Sequence, residues 1–126
     1  MIKKEGEGWR IIRDLSRDNF STLIGGKNWA IELTDLEWQK LVQIVFDLSD
    51  QYFEVKGQLM GDEDITLELD RGIWVAILKG DQYGWSLKLI LSQNEQQNRG
   101  AEIFWPRSVT KSVVDAMRIM WDSCYL

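Results

Sequence analysis

Asn28–Phe53 reads NWAIELTDLEWQKLVQIVFDLSDQYF, and its apolar period changes partway through. In the first third, Trp29, Ile31 and Leu33 alternate with Asn28, Ala30 and Glu32. Period two belongs to a half-buried strand. From Thr34 onward, Trp38, Leu41, Val45, Leu48 and Tyr52 recur every three or four residues, with Val42 and Phe53 widening the stripe. That spacing predicts an amphipathic helix packed on one face. The changeover is Thr34-Asp35-Leu36-Glu37, a capping box in which the Thr34 hydroxyl accepts from the Glu37 amide and the Glu37 carboxylate reaches back. A strand followed at once by a capped helix is the unit from which the fold is read.

The same unit recurs. Trp9–Asp14 and Phe20–Ile24 read as two strands before it. After it, Ile65, Leu67 and Leu69 alternate with Thr66, Glu68 and Asp70, and Trp85, Leu87, Leu89 and Leu91 alternate with Ser86, Lys88 and Ile90. Residues 73–79 are apolar on both faces, the mark of a central strand, and Ala101–Trp105 is a further strand. A second helix is expected from about Ser108 to Asp122, with Val109, Val113, Met117, Met120 and Trp121 inward and Pro106, the only proline, just before it. Turns fall at Gly25-Gly26-Lys27, Asp70-Arg71-Gly72 and Gly80–Gly84. The polar run Ser92–Gly100 is the longest connection and the expected site of greatest mobility.

The order is three strands, a helix, four strands, a helix. A fourth strand of the first half has two candidate places, residues 1–9 or a split of 9–24. Shifting the chain by 71 positions lays Ala30 on Ala101, Lys40 on Lys111 and Val42 on Val113, as a repeat of strands plus one helix would. The expected fold class is therefore α+β: two antiparallel sheets with two helices, a tandem pseudo-repeat of units 1–58 and 59–126 within a single domain 1–126. With 126 residues, 44% of them hydrophobic and 28% charged, such a chain buries a core of its own.

Composition excludes several chemistries. There is no histidine, and one cysteine, Cys124, rules out an internal disulfide. Gly25-Gly26-Lys27-Asn28 lacks the upstream glycine and the following Ser/Thr of a phosphate loop. Asp62-Glu63-Asp64 with Asp70 lacks calcium-loop spacing. Glu37 is engaged in the cap and Glu32 lies on a polar strand face, so they do not read as an acid–base pair. No catalytic residue, metal ligand or cofactor is assigned. No apolar run reaches the ~18–20 residues of a bilayer span, and Met1–Glu7 holds no signal-peptide core, which makes cytoplasm the expected compartment.

What remains is binding. Net charge is −5, yet it is unevenly placed: residues 28–70 hold eleven acids against Lys40 and Lys56, and both ends are mildly basic. The seven tryptophans are read mostly as core, with one or two on a binding surface. The favoured function is a non-catalytic binding protein with a protein partner; single-stranded DNA or RNA is the alternative. The candidate contact residues are Trp9, Arg10, Arg13, Lys27 and Lys88, with Lys79, Arg99 and Arg107 as further bases. Single-strand binders combine a positive groove with aromatic rings on which bases stack. An apolar patch around Trp121, Tyr125 and Leu126 is the corresponding feature for a protein partner. For the apolar terminus Cys124-Tyr125-Leu126 two placements stand open, folding back on its own chain or docking on another copy as a homo-oligomer.

Gly6-Glu7-Gly8-Trp9-Arg10, then Leu23–Thr34 with Glu37-Trp38, then Trp85-Ser86-Leu87-Lys88 and Arg99–Pro106 resemble a small uncharacterised cyanobacterial protein family, over nearly the whole chain. That family is similar in fold to the Whirly-type single-stranded-DNA-binding transcriptional regulators. The resemblance implies two units of four strands plus a helix. No Whirly DNA-contact motif is present to be carried over residue by residue.

Overall fold

The computed structural model describes residues 1–92 and 98–125, with side chains as far as Asp122. Strands β1 (Ile2–Gly6), β2 (Trp9–Arg13), β3 (Thr22–Gly26) and β4 (Ala30–Leu33) precede helix α1 (Asp35–Val55), which ends in a 3-10 turn, Lys56–Gln58. Strands β5 (Ile65–Asp70), β6 (Trp74–Gly80), β7 (Trp85–Leu91) and β8 (Ala101–Trp105) precede helix α2 (Thr110–Tyr125). Each set of four strands forms its own sheet in chain order, with every neighbouring pair antiparallel. This is the expected α+β fold, with a four-strands-then-helix order in both halves.

The missing strand is β1, in the first of its two candidate places. Its Lys3, Lys4 and Glu5 are all exposed and only Ile2 is partly covered. As the outer strand of its sheet it carries charge in place of an alternating apolar pattern, a common guard against edge pairing. The second helix also starts later than expected. Val109 donates its N–H to the Pro106 carbonyl, so residues 106–109 form a turn and helix geometry begins at Thr110. The capping box at Thr34 is present in both its hydrogen bonds.

Alternation decides the faces. Ile11, Ile24 and Leu33 point inward from the first sheet, and Trp74, Ala76, Leu78, Leu87, Leu89 and Trp105 from the second. Helix α1 buries Trp38, Leu41, Val42, Val45, Leu48 and Tyr52 against β5 and β6, and also Ile44, which lies outside the stripe read from sequence. Each such side chain contributes about 1.5–3 kcal/mol of burial. Helix α2 packs on β1 and β2 as well as on β7 and α1, so one cluster of buried side chains draws on both sheets and both helices. Of the tryptophans, Trp38, Trp74, Trp85 and Trp105 are buried, and Trp9, Trp29 and Trp121 are half-buried. Four of the seven are thus core, and the three half-buried rings are the ones that reach the surface. The connection 92–100 and the terminal patch of Cys124, Tyr125 and Leu126 fall largely outside the described residues.

Candidate functional site

Two hairpins of the first sheet end side by side. In the β1–β2 hairpin, Gly6 opposes Trp9 across the loop Glu7-Gly8. Gly8 has φ +81°, a left-handed conformation that glycine adopts without strain. In the β3–β4 hairpin, Gly26 donates its N–H to the Trp29 carbonyl (3.0 Å) across the loop Lys27-Asn28. The Gly25-Gly26-Lys27 segment is thus a hairpin, and no helix follows it.

Both hairpins use one spacing, glycine then tryptophan three residues on. Each indole lies across its glycine so closely that a Cβ there would overlap the ring nitrogen. A bare backbone is therefore what admits each ring. The Trp29 N–H donates to the Phe104 carbonyl (3.0 Å), fixing this ring against β8. Arg10, on the outer face of β2, runs its side chain over Gly25.

Between the tips lies an open cleft of about 560 Å³, lined by Trp9, Arg10, Lys27, Asn28, Trp29 and Glu5 together with bare glycine backbone. Arg10 and Lys27 take part in no ion pair among the described residues. Two cations thus stand beside two partly covered rings, with Glu5 opposite Arg10 in the β1–β2 register. The chemistry on offer is stacking or cation–π contact plus anion recognition.

Three of the five candidate residues, Trp9, Arg10 and Lys27, thus meet at one place. The other two do not. Arg13, expected among the contact residues, is only 2% exposed and does not stand open at the surface. It faces inward from β2, donates to the Thr22 hydroxyl (2.8 Å) and Asp35 (3.1 Å), and lies over the Trp38 ring (5.3 Å). Lys88 sits on the outer face of the second sheet, paired with Glu102 across β7 and β8 (3.1 Å). Of the further bases, Lys79 is exposed at the end of β6. Arg99 is tied to Glu37 and to the Glu32 carbonyl and covers Phe20. Arg107 binds Asp81 through two hydrogen bonds (2.6 and 3.2 Å). That guanidinium, with the Tyr83 amide, holds the Asp81 carboxyl down at about 2.

Sequence reading placed Trp29 on a strand and passed over Asn28 and Glu5 as site residues. The signal that finds them is the doubled glycine–tryptophan spacing, Gly6…Trp9 and Gly26…Trp29. Among the described residues no group of three or more acids or cysteines is placed to hold a metal ion, and no helix is long and apolar enough to cross a membrane.

Two of the blocks that carry the sequence resemblance, Gly6–Arg10 and Leu23–Thr34, supply most of the lining of this cleft. Residues 4–120 match a family model described as a domain of unknown function, DUF1818. The chain is similar to a crystal structure of a protein of unknown function from Prochlorococcus sp. NATL2A, described as from the DUF155 family. The two share 69% identity and a TM-score of 0.92, covering 96% of this chain and 99% of the other. No curated protein matches the chain.

Proposed function

Starting from the chain's membership of the DUF1818 family of domains of unknown function, we propose that it is a non-catalytic, cytoplasmic binding protein whose partner docks on the cleft between the hairpin tips. One observation carries this reading. Trp9 and Trp29, each braced on a bare glycine, flank Arg10 and Lys27, two cations in no ion pair among the described residues. Leaving unpaired charge beside half-buried aromatic surface is a feature of recognition surfaces, where aromatics and arginine are enriched.

Beside a protein partner stands a second reading, single-stranded DNA or RNA. The same geometry favours it, because stacking rings beside free cations are what such ligands require. The order of four strands then a helix, twice over, supports the Whirly-type likeness that this reading brings with it. The chain's acidic balance is no obstacle when bases segregate, since phosphate neutralisation depends on local charge.

The test is a titration of labelled single-stranded DNA and RNA with the protein at low and moderate salt, run beside affinity capture from the native cell. In both, wild type is compared with Arg10→Glu/Lys27→Glu. Salt-sensitive oligonucleotide binding that the variant loses supports the second reading. A captured protein that the variant fails to retain supports the first. Partners retained equally by both proteins would remove the cleft from either reading.

A further inference from the structure

The cleft does not end at the first sheet. A second depression of about 380 Å³ shares Gly8 and Lys27 with it and continues to Pro106, Ser108 and Val109. A third, also about 380 Å³, shares Ser108 with the second and runs between the end of α1, the β6–β7 turn and the start of α2. Its lining includes Phe53, Lys56, Tyr83, Arg107 and Lys111, and no acid. Three depressions joined through shared residues make one path across both halves of the molecule.

The path is chemically distinct from the rest of the surface. It holds Arg10, Lys27, Lys56, Arg107 and Lys111, five of the chain's 15 basic residues, against Glu5 and Glu7, two of its 20 acids. Aromatic rings stand at its two ends. Trp9 and Trp29 stand at one end; at the other, Phe53 is 50% and Tyr83 78% exposed. Lys56 lies 5.1 Å from the centre of the Phe53 ring, which holds its ammonium over the groove wall. Arg107 is partly committed to Asp81 and Lys111 to Asp115, so Lys56, Arg10 and Lys27 are the cations most available to a ligand.

We infer that this path is a track for a single-stranded polynucleotide, which enters at the Trp9–Trp29 cleft and leaves over Tyr83 and Lys56. The inference rests on the nucleic-acid reading of the cleft. A flexible polyanion carrying a flat ring at every repeat matches cations set beside half-buried rings at one end of a long, shallow groove and beside exposed rings at the other. An acidic peptide matches the charge and leaves the rings unused.

The experiment measures anisotropy of labelled oligothymidylates of about 4 and about 16 nucleotides, lengths that bracket the site sizes of such grooves. Wild type, Arg10→Glu/Lys27→Glu and two far-end variants, Lys56→Glu/Lys111→Glu and the milder Lys56→Gln/Lys111→Gln, are compared across salt, with polyglutamate as competitor. The track predicts that the long oligomer binds wild type at least ~10-fold more tightly than the short one. The far-end variants lose most of that gain and keep short-oligomer binding. Their dependence of log K on log salt flattens by about 1.4, the value for two single-strand phosphate contacts.

If the far-end variants bind the long oligomer as wild type does while Arg10→Glu/Lys27→Glu abolishes binding, the track is wrong and the cleft reading stands. If polyglutamate displaces the oligomer at matched charge, the ligand is a polyanion without ring recognition and the inference falls. If neither oligomer binds wild type at low salt, the track and the nucleic-acid reading fall together.

Discussion

Trp29 and Trp105 exchange carbonyl partners across the two sheets. The Trp29 indole N–H donates to Phe104, the neighbour of Trp105, and the Trp105 N–H donates to Gly25 in β3, both at 3.0 Å. Their rings meet at 5.3 Å with a tilt of 49°. The pair joins the β3–β4 hairpin to β8 and gives the cleft a rigid wall.

Replacing either ring by phenylalanine keeps apolar area and removes one crossed hydrogen bond. Trp105→Phe removes the indole's hydrogen bond to the Gly25 carbonyl and leaves a cavity beside the smaller ring, and is expected to cost about 1–3 kcal/mol. Trp29→Phe, at a more exposed bond, is expected to cost about 0.5–1.5 kcal/mol. Because the rings touch, the double variant should depart from additivity by about 0.5–1.5 kcal/mol. Urea unfolding of the four proteins in the cycle measures this, and simple additivity would show that the pair does not act as a unit.

Arg10 and Arg13 lie three residues apart and should behave oppositely. Arg13→Ala empties a buried position among Thr22, Asp35 and Trp38. Asp35 is half-exposed and can rehydrate, so the loss is mainly packing, about 2–3 kcal/mol. Arg10→Ala should change stability by no more than about 0.5 kcal/mol. In any assay where the protein binds a ligand, Arg10→Ala weakens it and Arg13→Ala does not once unfolding is allowed for. Thermal melts with parallel binding isotherms separate the two.

Glycine 26 should be less replaceable than glycine 6. A Cβ at either position meets an indole. Trp29 is held by its bond to Phe104, while Trp9 has no such bond among the described residues. Gly26→Ala is therefore expected to cost about 1–3 kcal/mol, as overpacking does, and Gly6→Ala less, its ring swinging toward solvent. Denaturant melts rank the two, and tryptophan emission should shift to the red in Gly6→Ala.

Acid should test the Asp81–Arg107 pair. The Asp81 carboxyl titrates near 2 in the folded chain against an ordinary 3.8. A depressed folded value adds stability above the unfolded value and loses it as pH falls toward the folded one. Wild type should therefore exceed Asp81→Asn in melting temperature above about pH 4, and the gap should close between about pH 4 and pH 2. Melting curves over that range decide it; a gap that persists at pH 2 would mean the carboxylate charge is not what stabilises this turn. The pair is solvent-exposed, so added salt should narrow the gap at neutral pH as well.

Sequence alone determined whatever depends on neighbours within a few residues. The three-to-four spacing of Trp38, Leu41, Val45, Leu48 and Tyr52, the box at Thr34 and Glu37, and the period-two strands each encode a partner one turn or one pleat away. The glycine turns do the same. The doubled order of strands and helix followed from these local signs. Tertiary structure alone decided the rest, because the partners are distant. Strand β1 exists through its pairing with β2, since its own residues carry no apolar period. Arg13 reads as surface until Thr22 and Asp35, 9 and 22 residues on, enclose it. Trp29 and Trp105 find their acceptors 75 and 80 residues away. Which cations stand free follows from where each carboxylate comes to rest: Glu102 reaches Lys88, while among the described residues no carboxylate forms an ion pair with Arg10 or Lys27. Local periodicity records the face a side chain presents, and only the folded chain sets what that face meets.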